Sequence, residues 1–222
     1  MTLRRPRGFT AVELAIVLGI VAVLSAAAWA SLSRLRPRAR LAGSATELRS
    51  LLYGARQAAL ATGHDVVVML FPRFGGPEGT GKIVVYEDGD FALFNPAAPL
   101  NFDGYDPGQP AAGPRSQVIS THDFPPTVVV GPAGGAGTGA ALVAPLAGIP
   151  IDVDCSFCGN QADRRGAIRF DPRGRAFFHP ANGLPQAGVR GGSLSLASER
   201  LQGQVTLVVL SSTGAARTIV NR

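Results

Sequence analysis

Lysine is almost missing from this chain. Lys82 stands alone against twenty arginines. Together with abundant alanine, glycine and proline, this points to a GC-rich genome, so the arginine preference says little about partners. Histidine occurs only three times, at His64, His122 and His179, and the three are scattered. No HExxH motif, serine elbow or paired-carboxylate arrangement accompanies them. The expectation is a protein that is not an enzyme and carries no cofactor and no metal, with histidines that sit on the surface or in packing. Cysteine occurs twice, as Cys155-Ser156-Phe157-Cys158. That excludes a disulfide-dense scaffold and leaves four readings for a lone CxxC. In an oxidising compartment the expected outcome is a Cys155–Cys158 disulfide clipping a loop, the alternatives being free thiols, half of a zinc site completed by His122 and His179, or a redox pair. The redox reading needs a βαβ context that the chain does not offer. Aromatics make up 7% of residues and few lie among the arginines, which weakens any case for base stacking.

Charge is also absent over one long stretch, and that absence organises the chain. Arg4-Arg5-Pro6-Arg7-Gly8 is followed by Phe9-Thr10-Ala11-Val12-Glu13 and then by an apolar run from Leu14 to Leu32. A helix of about twenty residues covers the roughly 30 Å of a bilayer core. Glu13 is costly in lipid, by up to ~2.5–3.5 kcal/mol at the centre and less near the interface. It calls for a partner charge, such as a free amine on Phe9 after cleavage behind Gly8, from its own chain or a neighbour. A Sec signal peptide with a small-residue site near Ala28-Trp29-Ala30 fits less well, because the run exceeds the usual ~7–15 residues and Glu13 lies inside it. A plain membrane anchor has no use for Glu13. The basic leader predicts a cytoplasmic N-terminus. Arg4, Arg5 and Arg7 supply half of the formal net charge of +6, so without them the chain is only mildly basic.

The stretch Gly8-Phe9-Thr10-Ala11-Val12-Glu13-Leu14 resembles the class III signal of type IV pilins and of the pseudopilins of type II secretion. The resemblance implies cleavage between Gly8 and Phe9 by a prepilin peptidase, N-methylation of Phe9, and Glu13 as the assembly determinant. It also implies other pseudopilins or minor pilins as partners, a single-pass protein of the bacterial inner membrane, and contact with secreted substrate proteins.

Beyond Leu32 the helix is expected to continue. Leu41, Ala45, Leu48, Leu52, Ala55 and Ala59 recur at alternating spacings of four and three, one stripe of an amphipathic helix. Gly63 reads as its stop, and Pro37 is expected to kink or break it. Strands are predicted at Val66–Phe71, Ile83–Tyr86 and Phe91–Phe94, the last two joined as a hairpin through Glu87-Asp88-Gly89-Asp90. Residues 95–116 read as a long loop. Further strands are predicted at Thr127–Val130, Ala167–Phe170, Arg175–Phe178, Ser193–Leu196, Val205–Leu210 and Ala216–Val220. Gly131 to Gly139 is a glycine-rich segment that lacks the lysine of a phosphate loop. Asp171-Pro172-Arg173-Gly174 suits a type I turn, and Ser211-Ser212-Thr213-Gly214 joins the last two strands.

The fold class expected is α+β: a long N-terminal helix, half membrane-spanning and half amphipathic, packed on an antiparallel β-sheet domain as in pilins. The divisions are a leader at 1–8, a membrane or filament-core helix at 9–32, an amphipathic helix at 33–63 and a β-rich periplasmic domain at 64–222. The Ile168-to-Gly174 stretch and the terminal hairpin resemble the GspH/FimT branch of minor pseudopilins. FimT-like members are implicated in DNA uptake through a Gly-Arg-x-Arg motif. Here the corresponding stretch reads Gly214-Ala215-Ala216-Arg217, so that motif is absent as such. Arg217 and Arg222 remain the residues a DNA-binding alternative would use. Arg164, Arg165, Arg169, Arg173 and Arg175 form a local basic concentration whose default reading is a solvated face. A membrane-anchored binding domain outside any filament is the other alternative.

Overall fold

The computed structural model describes residues 10–74, 80–91, 93, 105–107, 114–131, 149–150, 153–159, 164–180, 191–198, 204–210 and 213–221. Its first element is the helix α1, Ala11–Thr62, which at 52 residues is about 78 Å long. Thr10 caps its start. At the other end Gly63 takes a left-handed conformation (φ 71°) and its N–H bonds Ala59 O at 3.1 Å. A side chain at that φ would be strained, so glycine ends the helix cleanly. Pro37 lies inside α1 without interrupting it. One missing amide donor does not end a helix whose ladder is intact on both sides, so the expected break does not occur.

The two halves of α1 face different surroundings. From Ala11 to Trp29 every residue is exposed. After Pro37 the predicted stripe is buried: Leu41, Ala45, Leu48, Leu52, Ala55 and Ala59 are each no more than 5% exposed. Each buried leucine contributes about 1.5–3 kcal/mol, an upper figure because the unfolded chain already hides some surface.

Among the described residues nine strands form two antiparallel sheets packed with α1, the α+β arrangement expected. The first takes β1 Asp65–Phe71, β2 Lys82–Asp88, β3 Ser116–Asp123, β5 Gly166–Phe170 and β6 Ala176–Pro180, in the order β3-β2-β1-β5-β6. The second takes β4 Val128–Val130, β7 Gly191–Ser198, β8 Gln204–Leu210 and β9 Ala216–Asn221, in the order β4-β7-β8-β9. The buried stripe of α1 shares one core with both. Val66, Val68 and Leu70 of β1, Ile168 and Phe170 of β5, Phe178 of β6, and Leu194 and Leu196 of β7 all meet it there. Val67, Met69 and Phe71 point to the other face of β1, into a second cluster with Val84, Tyr86, Leu93 and Ala167. Burial on both faces is why β1 reads as an unbroken apolar run instead of an alternating one.

The predicted hairpin between Ile83–Tyr86 and Phe91–Phe94 is not formed. β2 runs on to Asp88 and pairs with β1 on one side and β3 on the other. Phe91 has φ 52°, and Leu93 N donates to the Asp88 carboxylate at 3.2 Å, so the chain bends away from the sheet. Phe94 lies outside the described residues, as do 95–104 and 108–113 of the predicted loop and 132–139 of the glycine-rich segment. β3 was not foreseen. It is a polar edge strand in which every second residue is exposed and only Ser116 is fully buried, so it lacks the apolar run that marks a strand. The β5–β6 hairpin closes as expected: Gly174 N donates to Asp171 O at 2.8 Å, with Gly174 at φ 74°.

Candidate functional site

The residues singled out for assembly lie at the start of α1. Gly8 and Phe9 are outside the described residues. Glu13 is described, and its carboxylate is engaged within its own chain. Glu13 Oε2 accepts from Thr10 N at 2.9 Å and from Thr10 Oγ1 at 3.0 Å, while Glu13 N donates to Thr10 Oγ1 at 3.2 Å. This is a reciprocal capping box. Its signature, Thr-x-x-Glu ahead of an apolar run, is legible in the sequence.

Residues Ala11–Trp29 form one helical segment with mean hydropathy 2.4, long and apolar enough to cross a membrane. Apolar side chains point out on every face, among them Val12, Leu14, Ile16, Val17, Leu18, Ile20 and Val21, all at least half exposed. A helix apolar all round has no solvent-facing side. Trp29 ends the segment, with the Arg36 guanidinium 5.7 Å from its ring centre. An amphipathic ring under a cation suits the boundary between hydrocarbon and water. The flanking charges are balanced, with Arg4, Arg5 and Arg7 before the span and Arg34, Arg36, Arg38 and Arg40 after it. Charge asymmetry therefore does not orient this helix, although the leader alone suggested that it would.

Cys155 and Cys158 are joined in a disulfide. Neither sulfur is then free as a thiolate ligand, and among the described residues no group of three or more His, Cys, Asp or Glu could hold a metal. The loop links the two sheets. Ser156 N donates to Ser193 O, Ser193 N to Ser156 Oγ, and Ser195 N to Asp154 O, which ties it to β7. Gly159 N donates to Arg165 O at 3.0 Å, which ties it to the approach to β5. Phe157, held between the cysteines, is 1% exposed and packs on Phe178 with ring centres 5.3 Å apart.

Most of the basic concentration around β5 and β6 is engaged within the chain, while Arg173 is exposed in the turn between them. Arg164 pairs with Asp154 at 3.1 Å, Arg169 with Asp65 at 2.7 Å and Arg175 with Asp171 at 2.6 Å. Arg165 donates to Tyr105 O at 2.9 Å and lies over the Phe71 ring. Burial pushes the Asp171 carboxyl up. Hydrogen bonds from Arg175 and from the Arg173 amide more than reverse this and hold it below its ordinary range. Arg217 is exposed on β9, and Arg222 lies outside the described residues.

The histidines have structural partners. His64 Nδ1 lies 2.8 Å from Glu87, His122 Nδ1 lies 3.0 Å from Glu47, and Arg169 Nε donates to His179 Nε2 at 3.3 Å. Hydrogen bonds from Gln117, and secondarily from His64, hold Glu87 below its ordinary range. The interior void between α1 and the sheets is only about 10 Å³, room for at most one water. A larger groove opens on the surface between α1 and the turn before β9.

Compared with protein-family models, curated proteins and solved structures, the chain gives no match.

Proposed function

We propose that this chain is a minor pseudopilin of a type II secretion system, a non-enzymatic subunit of a pseudopilus. The observation that carries the reading is the continuous helix α1, exposed and apolar on all sides to Trp29 and buried along one stripe from Leu41 to Ala59. Such a helix can do two jobs. Its first half fits lipid before assembly and a helical filament core afterwards, and its second half is the spine of a β-rich domain. In this reading prepilin peptidase cuts between Gly8 and Phe9, Phe9 is N-methylated, and the globular part lies in the periplasm with the N-terminus cytoplasmic.

Glu13 then has two states. In the separate subunit its carboxylate is satisfied by Thr10, which lowers the cost of holding it near lipid. In a filament the amine of a neighbouring Phe9 would take over, a charge-assisted contact stronger than the neutral donors it replaces. Mass spectrometry of the protein from its native membrane tests the proposal. An N-terminus at methylated Phe9 is expected. An N-terminus at Met1 or Ser31 overturns it.

A further inference from the structure

We propose that the surface groove between the outer face of α1 and the turn entering β9 docks an acidic polypeptide segment laid beside β9. The groove has a volume of about 570 Å³, within the range of ligand-sized clefts. Arg49, Tyr53 and Arg56 of α1 line one wall, with the hydroxyls of Thr46 and Ser50 beside them, and Gly214 to Ala216 line the other. Among the described residues no carboxylate lines it. Arg56 is already positioned, since its Nε donates to Gly174 O at 3.1 Å. That bond occupies Nε and leaves the forked terminal nitrogens to meet a carboxylate two-pronged. Gly214 sustains the arrangement, because a Cβ there would lie 3.1 Å from Arg56 Cδ and 2.8 Å from Gly174 O.

The occupant follows from charge and from the sheet. Arg49 and Arg56 give the groove one sign of charge, whereas Arg164, Arg169 and Arg175 are answered by Asp154, Asp65 and Asp171. Among the described residues β9 pairs only with β8, so its outer edge offers backbone donors and acceptors to an added strand. A polypeptide uses that edge and a nucleic acid does not. A nucleic acid also needs a longer cationic track and more stacking rings than Tyr53 alone provides. Docking of this kind does not depend on filament assembly.

The test uses the full chain in detergent micelles and fluorescence anisotropy. The probe is a short peptide alternating glutamate and valine, set against its glutamine–valine counterpart and a single-stranded oligonucleotide. The acidic peptide is expected to bind about tenfold or more tighter than the neutral one. Arg49→Glu should weaken it about tenfold or more, while Arg38→Glu, over two helical turns from the groove, should change it less than about twofold. Backbone amides of β9 should gain hydrogen-exchange protection on binding. Equal binding of the two peptides, an equal loss in Arg38→Glu, or unprotected β9 amides would overturn the proposal. So would an oligonucleotide that binds more tightly through the same arginines.

Discussion

Gly192 of β7 lies where the two sheets and the disulfide loop meet. A Cβ at this position would lie 2.5 and 2.6 Å from Phe178 Cε1 and Cδ1 and 2.8 Å from Phe157 Cδ1. Both rings are almost fully buried, so neither can swing into solvent. Gly192→Ala therefore forces off-rotamer rings or a backbone shift, at a cost of about 1–3 kcal/mol. At an m-value near 2 kcal/mol/M this lowers the urea midpoint by roughly 0.5–1.5 M. The assay is urea unfolding of the full chain in detergent, read by pulse proteolysis. Trimming the obstructing ring with Phe178→Leu costs stability alone but makes room for the methyl group. The double variant should thus be more stable than the sum of the singles by about 0.5 kcal/mol or more. Gly43→Ala is the control: no atom lies within 4 Å of its Cβ, and the exposed helical site should be neutral or gain up to ~1 kcal/mol. Strict additivity, or a Gly192→Ala variant as stable as the parent, would show that the close approach is not a constraint.

Leu48→Ala, deep in the stripe shared by both sheets, should cost about 2–5 kcal/mol, whereas Leu60→Ala on the half-exposed face should cost far less; the same unfolding assay compares them. Replacing Cys155 and Cys158 together with serine should remove about 2 kcal/mol, the modest value for so short a ring, and leave the circular dichroism spectrum native. Glu87 and Asp171 both sit below their ordinary values of 4.5 and 3.8 when folded, so the folded chain binds fewer protons than the unfolded one. Their contribution is full above those values and is lost as pH falls through the folded values. Glu87→Gln and Asp171→Asn should each flatten the fall in stability below about pH 4, and an unchanged acid limb in both would refute the assignment.

The parts legible in the sequence were those set by near neighbours. The stripe from Leu41 to Ala59 follows from the period of the helix, and every predicted member is buried. Gly63 and Gly174 are placed where the chain must turn left-handed, and both do so. β3 was missed because an edge strand buries too little to write an apolar run. The hairpin assigned to Phe91–Phe94 failed because turn-like residues after β2 satisfied Asp88 locally, while the real partner strand lies almost thirty residues on. The arginine concentration misled for a related reason. Charge counted along the chain takes no account of acids brought in from elsewhere, such as Asp65 to Arg169 across 104 residues.

The sequence by itself determined where the chain is apolar all round, where it is one-sided, and where it turns, because helix period, strand runs and turn chemistry act over a few residues. The division into two sheets, the pairing of β1 with β5, the linking role of Cys155–Cys158 and the groove beside Arg56 were decided only in three dimensions. Each depends on which distant segments bury one another's surface. Many pairings of such strands satisfy the same local pattern, and only the shared core with α1 selects one of them.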